Sequence, residues 1–496
     1  MSLFNCKSFL KYYDMNNIKK ETTFITSLIL IFLTAFVSKL VFIGTRDICL
    51  DEPFTIFNAQ KSLLDILRLP TQNEPNPPLF MLILHFWIKL FGISPFSVRI
   101  MPLLFNSLTA VFIFLAGKKV FNIWAGIIGT IVFLLSTYHF YFGLETRAYA
   151  MLSFATIASY YYFNEVVKYP EKNKNIILLF IANFFLIYSH YFGWFVVFAQ
   201  FLSSLFYFKE KKNLYRIWIV ISLTAISFIP MAIVFIKQFL KSSQGTWVTP
   251  PHNRDYFDQL HAFLNFFSPM FIVLILVGLL VFKGVAKEKN QNRKELWVLF
   301  IWWFIPYTIM FLVSKKIPMF LNRYILFNSV TFYLFLSALI SIYYKKWNWA
   351  TYLVTSIIGI FMFIKLEVNS KNFYYREVQN AVNHVSEFTD SSSIVIIHPH
   401  WASLGFTYYY QPEIFKNPDK YDSLLNVNNI LPVWNVRMAK DYLIKNPERK
   451  VIYYQDGSIF AENTNAIFKY LDSTYIRKDS VFYPQCFNVS VFEPRE

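Results

Sequence analysis

Charge is scarce along this chain. Only 16% of its 496 residues are Asp, Glu, Lys or Arg, against about 25% in soluble domains. With 55% hydrophobic residues, 20% aromatic residues and a mean hydropathy of +0.38, that shortage excludes a soluble globular protein. Repeated apolar runs of helix-spanning length make it a membrane protein. Cysteine is scarcer still. Cys6, Cys49 and Cys486 form no CxxC and no metal-ligand spacing, and nothing in the sequence favours a Cys49–Cys486 disulfide. Neither a GxGxxG nor a Walker motif occurs, which leaves nucleotide binding without support. A cleavable signal peptide is missing too, because the run Phe24–Val37 begins well into the chain and lacks a small-residue cleavage site. Residues 1–21 are therefore expected to stay cytoplasmic.

What is abundant is positive charge, +17 overall, and its distribution argues against a nucleic-acid partner. From Glu367 onward there are 13 Lys+Arg and 15 Asp+Glu, whereas the preceding 366 residues hold 34 and 15. A basic excess confined to the membrane half marks loop lysines that set orientation, not a nucleic-acid face.

The apolar runs predict eleven spans, at 22–44, 97–117, 123–142, 147–166, 174–190, 191–208, 214–238, 261–283, 296–314, 322–344 and 349–366. Segment 79–92 decides the topology. It falls short of the ~20 residues a spanning helix needs, contains His85 and Lys89, and starts abruptly after Pro77-Pro78. If it stays on the outer face, 16 of the 25 Lys+Arg between 97 and 366 lie in cytoplasmic loops. If it crosses, those 16 move outside, against the positive-inside rule. The expected architecture is a polytopic α-helical membrane protein with a membrane domain over 22–366. Its first external loop, 45–96, carries amphipathic juxtamembrane helices. Beyond it, 367–496 is expected to form an external α/β domain. There SSIVIIH (392–398), RKVIYY (449–454) and CFNVSVFE (486–493) read as strands, and Trp401–Tyr410 and Asn463–Leu471 as helices. His398-Pro399-His400 has no third ligand at metal-site spacing and reads as a surface loop.

This topology gathers Asp51, Glu52, Glu74, Glu145, Arg147, His190 and Arg323 on the outer side. Ionisable residues near membrane depth are costly and usually functional or paired. Asp51-Glu52 opens an amphipathic segment, where a carboxylate is placed to take a proton from an incoming hydroxyl or amine. Two other roles stay open for the pair: ligating a divalent cation, the one cofactor considered, and capping the helix that Pro53 begins. Arg147, and Arg323 beside Tyr324 in NRYILF, are suited to bidentate phosphate contact. An ion pair with Glu145 is the competing role for Arg147. His190 in YSHYFG either hydrogen-bonds the same headgroup or caps the turn between two spans. Trp247, in the polar loop 239–260, is a belt tryptophan or an acceptor-side lid.

Taken in order, LDEPFTI, EPNPPLFMLILHFWIKLFG, SPFSVRIMPLLFN, LETRAYAML, YSHYFGWF and NRYILF resemble the lipid-linked-sugar glycosyltransferases of the C superfamily, GT-C. The similarity is to the bacterial branch related to protein O-mannosyltransferases and the lipid A aminoarabinose transferase, and it covers residues 20–366. The resemblance implies Asp51 as catalytic base, with Glu52 and Glu74 assisting, and a polyprenyl-phosphate-linked sugar as donor. It also implies inversion at the anomeric carbon and a protein, lipid or glycan acceptor. Arg147, His190, Arg323 and Tyr324 would hold the lipid phosphate. One position departs from the pattern: Asn76 stands directly before Pro77-Pro78 where the family has His or Lys, which leaves a neutral amide at a donor-binding position. The implied location is the inner membrane of a bacterium, N-terminus cytoplasmic and C-terminal domain periplasmic. A lipid-linked glycan flippase is the alternative from another class, and would place charges along mid-membrane helix faces. A glycan polymerase or ligase would share the lipid-phosphate chemistry.

Overall fold

The computed structural model describes residues 4–72, 74–245, 248–265, 290–343, 348–367, 376–456, 465–483 and 487–495. Trp247, Cys486 and most of the expected span 261–283 lie outside them. Contacts divide the chain into two compact units, residues 1–41, 73–79 and 100–368, and residues 42–72, 80–99 and 369–496. Of the expected first external loop, 45–96, residues 45–72 and 80–96 fall in the second unit.

The first unit is helical. Glu21–Leu40, Pro95–Phe121, Arg293–Ser314 and Asn322–Ser341 are long and apolar enough to cross a membrane, and a bent pair brings the number to five among the described residues. That pair covers one expected span, which its apolar run alone does not mark as bent. The expected single span 214–238 is broken into Lys211–Ser227 and Ile229–Ser243, bent by 70°. Pro230, in the first turn of the second helix, has no N–H to continue the backbone ladder. The expected span 123–142 is likewise interrupted: Ile123–Leu134 ends before Ser136, and Thr137–Tyr141 follows as a separate short helix. Asn122 caps the longer piece, its side chain accepting from the amides of Trp124 and Ala125. Helices in this unit are tied by buried polar side chains. Asn183 Nδ2 donates to Gln200 Oε1 at 2.9 Å, and Ser159 donates to Asn183 Oδ1 at 2.7 Å, the kind of interhelical bond that apolar surroundings favour.

The second unit holds a five-stranded mixed sheet, β1 (Ser393–His398), β2 (Ile430–Pro432), β3 (Lys450–Asp456), β4 (Tyr475–Tyr483) and β5 (Phe487–Pro494), in the order β2-β1-β3-β5-β4. β1 is parallel to β2 and β3, with Ile396 opposite Leu431 and Tyr453, and it is buried along its whole length. A strand covered on both faces reads as the continuous run SIVIIH. β4 escapes the sequence reading because YIRKDSVFY is an edge strand whose exposed residues, Ile476 and Phe482 among them, follow no apolar–polar alternation. β2 escapes it because three residues carry no periodicity. Helices Val436–Leu443 and Ala466–Thr474 supply Ala439, Leu443, Ile467 and Leu471 to a core shared with Ile394, Ile396, Tyr453 and Phe492.

Helix Leu79–Phe91 spans 13 residues, about 20 Å at 1.5 Å per residue. Phe80, Met81, Leu84 and His85 are buried on one face, while Phe86, Leu90 and Phe91 are exposed. Its His85 Nδ1 lies 2.8 Å from the carbonyl of Ala59, which fastens it to helix Glu52–Ala59. Helix Ala402–Tyr410 fastens the loop from the other side. Ile48 N–H donates to Tyr409 Oη at 2.6 Å, and Tyr408 Oη donates to the Ile93 carbonyl at 2.6 Å.

Asp390, just before β1, accepts from Ser392 Oγ at 2.6 Å and Ser393 Oγ at 2.9 Å, and pairs with Lys450 at 3.1 Å. Chiefly the Ser392 hydroxyl, helped by Ser393 and Lys450, holds this carboxyl below the usual carboxylate range. A lowered folded value means that the stabilisation is complete above the unfolded value of about 4 and is lost as pH falls through the folded one. The expected result is that Asp390→Asn melts below the wild type at pH 7, with the gap closing as the two are melted at progressively lower pH.

Candidate active site

Each unit builds a polar cluster, and the two are described separately. In the second unit the turn before helix Glu52–Ala59 holds Leu50 at φ 56°, a left-handed conformation that a branched side chain adopts only at a cost in energy. It delivers Asp51 to the helix N-cap. The backbone carbonyl of Asp51 accepts the Thr55 N–H at 3.1 Å, but its side chain makes no capping bond. The capping role left open for that carboxylate is therefore not the one it plays.

Glu52 points the other way and is 3% exposed. Its two oxygens are gripped by Arg99, with Nε to Oε1 at 2.9 Å and Nη2 to Oε2 at 2.6 Å. The guanidinium, 1% exposed, also donates to the carbonyls of Ile43 at 3.0 Å, Arg46 at 2.6 Å and Asp47 at 2.8 Å. All five donors of its fork are thus used on one carboxylate and three loop carbonyls. Arg99 stands in SPFSVRIMPLLFN and received no role from the sequence. A single arginine near a helix start gives no signal until its partner, 47 residues earlier, is located. Burial pushes the nearby Asp47 carboxyl up, against the Gln379 backbone N–H that it accepts at 2.9 Å. Burial, then the Glu52 charge, pushes the Cys49 thiol up to about 12.

In the first unit Glu74, 2% exposed, collects Asn76. Its Oε1 accepts from the Asn76 backbone N–H at 3.0 Å and from Asn76 Nδ2 at 2.7 Å. Its Oε2 pairs with Arg147 Nη1 at 3.5 Å, and its carbonyl accepts Gln238 Nε2 at 2.8 Å. Asn76 thus acts on Glu74, which in turn orients Arg147. Arg147 sits in the non-helical stretch 142–148, opened by Gly143. A Cβ at Gly143 would collide with Asn106 Nδ2 and the His139 carbonyl, so only glycine lets the turn settle there.

A buried polar chain lies under this turn. Lys39 Nζ, a donor only, meets Asn106 Oδ1 at 2.5 Å. That fixes Asn106 Nδ2 toward His139 Nδ1 at 3.4 Å, and leaves His139 Nε2 to Ser329 Oγ at 2.7 Å. Ser329 Oγ in turn donates to the Leu326 carbonyl at 2.7 Å. Donors and acceptors run in one direction through four helices, and Lys39 is further held over the rings of Phe133 and Phe140. None of these residues was a sequence candidate, since lone polar residues in apolar runs look like isolated substitutions.

His190 ends helix Asn173–Ser189 in extended conformation. Its Nδ1 accepts the Phe192 N–H at 3.3 Å, which is the turn-capping role, and its ring lies 5.7 Å from Tyr324. Tyr324 also faces Tyr149 at 6.2 Å, with the Arg323 guanidinium 5.6 Å from its ring. The first unit therefore brings Arg147, His190, Arg323 and Tyr324 into one neighbourhood with Tyr149, while Asp51 and Glu52 belong to the second unit. In that second unit His400 stacks on Trp434 at 4.8 Å. Among the described residues no group of three His, Cys, Asp or Glu comes together as a metal site.

Residues 75–236 match the family model of dolichyl-phosphate-mannose-protein mannosyltransferases. No curated protein matches the chain in sequence. Among solved structures, ArnT from Cupriavidus metallidurans bound to undecaprenyl phosphate superposes with a TM-score of 0.61 at 10% identity, covering 95% of this chain and 98% of that one. The same protein in its apo state gives 0.60 over the same shares. The apo oligosaccharyltransferase of Archaeoglobus fulgidus gives 0.50 at 10% identity, covering 86% of this chain and 69% of that one. Over nearly its whole length, then, this chain shares the fold of ArnT, and its residues 75–236 match the model of the dolichyl-phosphate-mannose-protein mannosyltransferases.

Proposed function

We propose that this chain is an inverting, integral-membrane glycosyltransferase that moves a sugar from a polyprenyl-phosphate donor to an acceptor on the periplasmic face. Its membrane half is read as eleven spans with the N-terminus inside, and Leu79–Phe91 as lying along the outer surface. The observation that carries the reading is the first-unit cluster of Arg147, Arg323, Tyr324 and His190. There Arg323 stands over the half-buried Tyr324 ring and Arg147 pairs with the buried Glu74, in a fold that ArnT uses to bind undecaprenyl phosphate.

In the reaction, Asp51 takes the proton of the acceptor hydroxyl or amine as that atom bonds to the anomeric carbon. The bond from that carbon to the phosphate oxygen breaks on the opposite face, and the electron pair leaves with the polyprenyl phosphate. Arg147 and Arg323 stabilise the charge that develops on it. Glu52 is a positioning residue, because both its oxygens are committed to Arg99. Glu74 and Asn76 orient Arg147.

The test is transfer and binding by the purified protein in lipid nanodiscs. Wild-type protein is expected to bind undecaprenyl phosphate. Arg147→Lys, which keeps the charge but loses the fork, should weaken that binding about tenfold, or about 1.4 kcal/mol. Equal affinity in the two proteins would remove Arg147 from the phosphate site. A glycome unchanged by deletion of the gene, read by mass spectrometry of cell-envelope glycans, would count against the reading as a whole.

A further inference from the structure

Tyr149 opens helix Tyr149–Lys168 two residues after Arg147. It is 2% exposed, and its hydroxyl has no hydrogen-bond partner among the described residues. A buried hydroxyl without a partner costs stability, and phenylalanine would fill the same volume without that penalty. The surroundings of the phenol give the reason for keeping it. The guanidiniums of Arg323 and Arg147 and the carboxylate of Glu145 act on it electrostatically, and its ring packs at 6.2 Å from Tyr324. A buried O–H donor in the field of two guanidiniums is suited to an anion that all three groups can share. Orphaned buried polar groups of this kind usually mark an absent ligand or water.

We infer that the Tyr149 hydroxyl donates a hydrogen bond to a phosphate oxygen of the ligand held by Arg147 and Arg323. The inference rests on the proposed function for the identity of that ligand as a lipid phosphate. The chemistry it needs is only a phosphate group, esterified to a polyprenyl carrier or free. Tyr149 is then a substrate-binding residue whose orphaned proton is satisfied when the site fills, so ligand-free stability and ligand affinity pull in opposite directions.

Tyr149→Phe separates the two. Full-length wild-type and variant proteins are melted without ligand, then titrated with undecaprenyl phosphate, undecaprenol and inorganic phosphate. The expected result is a variant that melts higher than the wild type yet binds undecaprenyl phosphate at least about tenfold more weakly, while undecaprenol binding is indifferent to the change. Unchanged affinity for every phosphate probe overturns the inference. So does a variant that melts lower or fails to fold, because the hydroxyl would then be serving the fold. Wild-type binding of inorganic phosphate alone, weakened in the variant, upholds Tyr149 and overturns the lipid reading. Wild-type binding of neither phosphate overturns both.

Discussion

Asp51→Asn should leave a folded protein whose transfer rate falls by about 10²–10⁴, the usual worth of a positioned general base. The isosteric amide keeps the shape of the N-cap turn. Because the Asp51 side chain makes no capping bond to its helix, its replacement should cost the helix little. Turnover with a polyprenyl-phosphate sugar is therefore expected to collapse well beyond any loss of folded protein, read by thermal melting, and undecaprenyl phosphate affinity should be unchanged. A folded Asp51→Asn protein with near-normal turnover would remove Asp51 from the chemistry. The left-handed Leu50 immediately before it fits a residue presented by a strained turn, since such strain gathers at working sites.

Arg99→Met should do the reverse, damaging the fold first and activity only as a consequence. Removing the guanidinium strands a buried carboxylate, and breaking one side of such a pair typically costs about 3–5 kcal/mol. Here it also strands the carbonyls of Ile43, Arg46 and Asp47. Glu52→Gln should be milder, because an amide oxygen still accepts one guanidinium N–H. The measurement is the thermal midpoint and monodispersity of detergent-purified protein. The same pair of variants assigns the base between two adjacent carboxylates. If Glu52 were the base, Glu52→Gln would be well folded and inactive. If Glu52 is the anchor, it loses stability and retains turnover in proportion to its folded fraction.

The features legible in the sequence were those written in short stretches. The β1 run SIVIIH, the helix Ala402–Tyr410 and the brevity of Leu79–Phe91 each depend on local periodicity and length, which neighbouring residues encode directly. The bend at Phe228 was also written locally, in Pro230, but a hydrophobic run long enough to span hides a single proline. Asp51 and Glu52 show the limit more sharply. Adjacent in the chain and chemically alike, they are separated by helix geometry, one at the N-cap and one turned into a buried pair with Arg99.

By itself, then, the order of residues determined that this is a membrane protein, where its apolar segments and charged loops fall, and which side chains can carry acid–base or phosphate chemistry. These follow from composition and spacing, because the cost of placing charge in lipid and the period of a helix are properties of short windows. Tertiary structure alone decided which of those side chains are already committed. Glu52 is spent on Arg99, and Asn76 and Glu74 on orienting Arg147. Lys39, Asn106 and His139 are spent beneath Gly143, while Tyr149 is left with a buried hydroxyl that no described residue satisfies. A donor's partner is set by distance in space, and residues dozens or hundreds of positions apart meet only once the chain has folded.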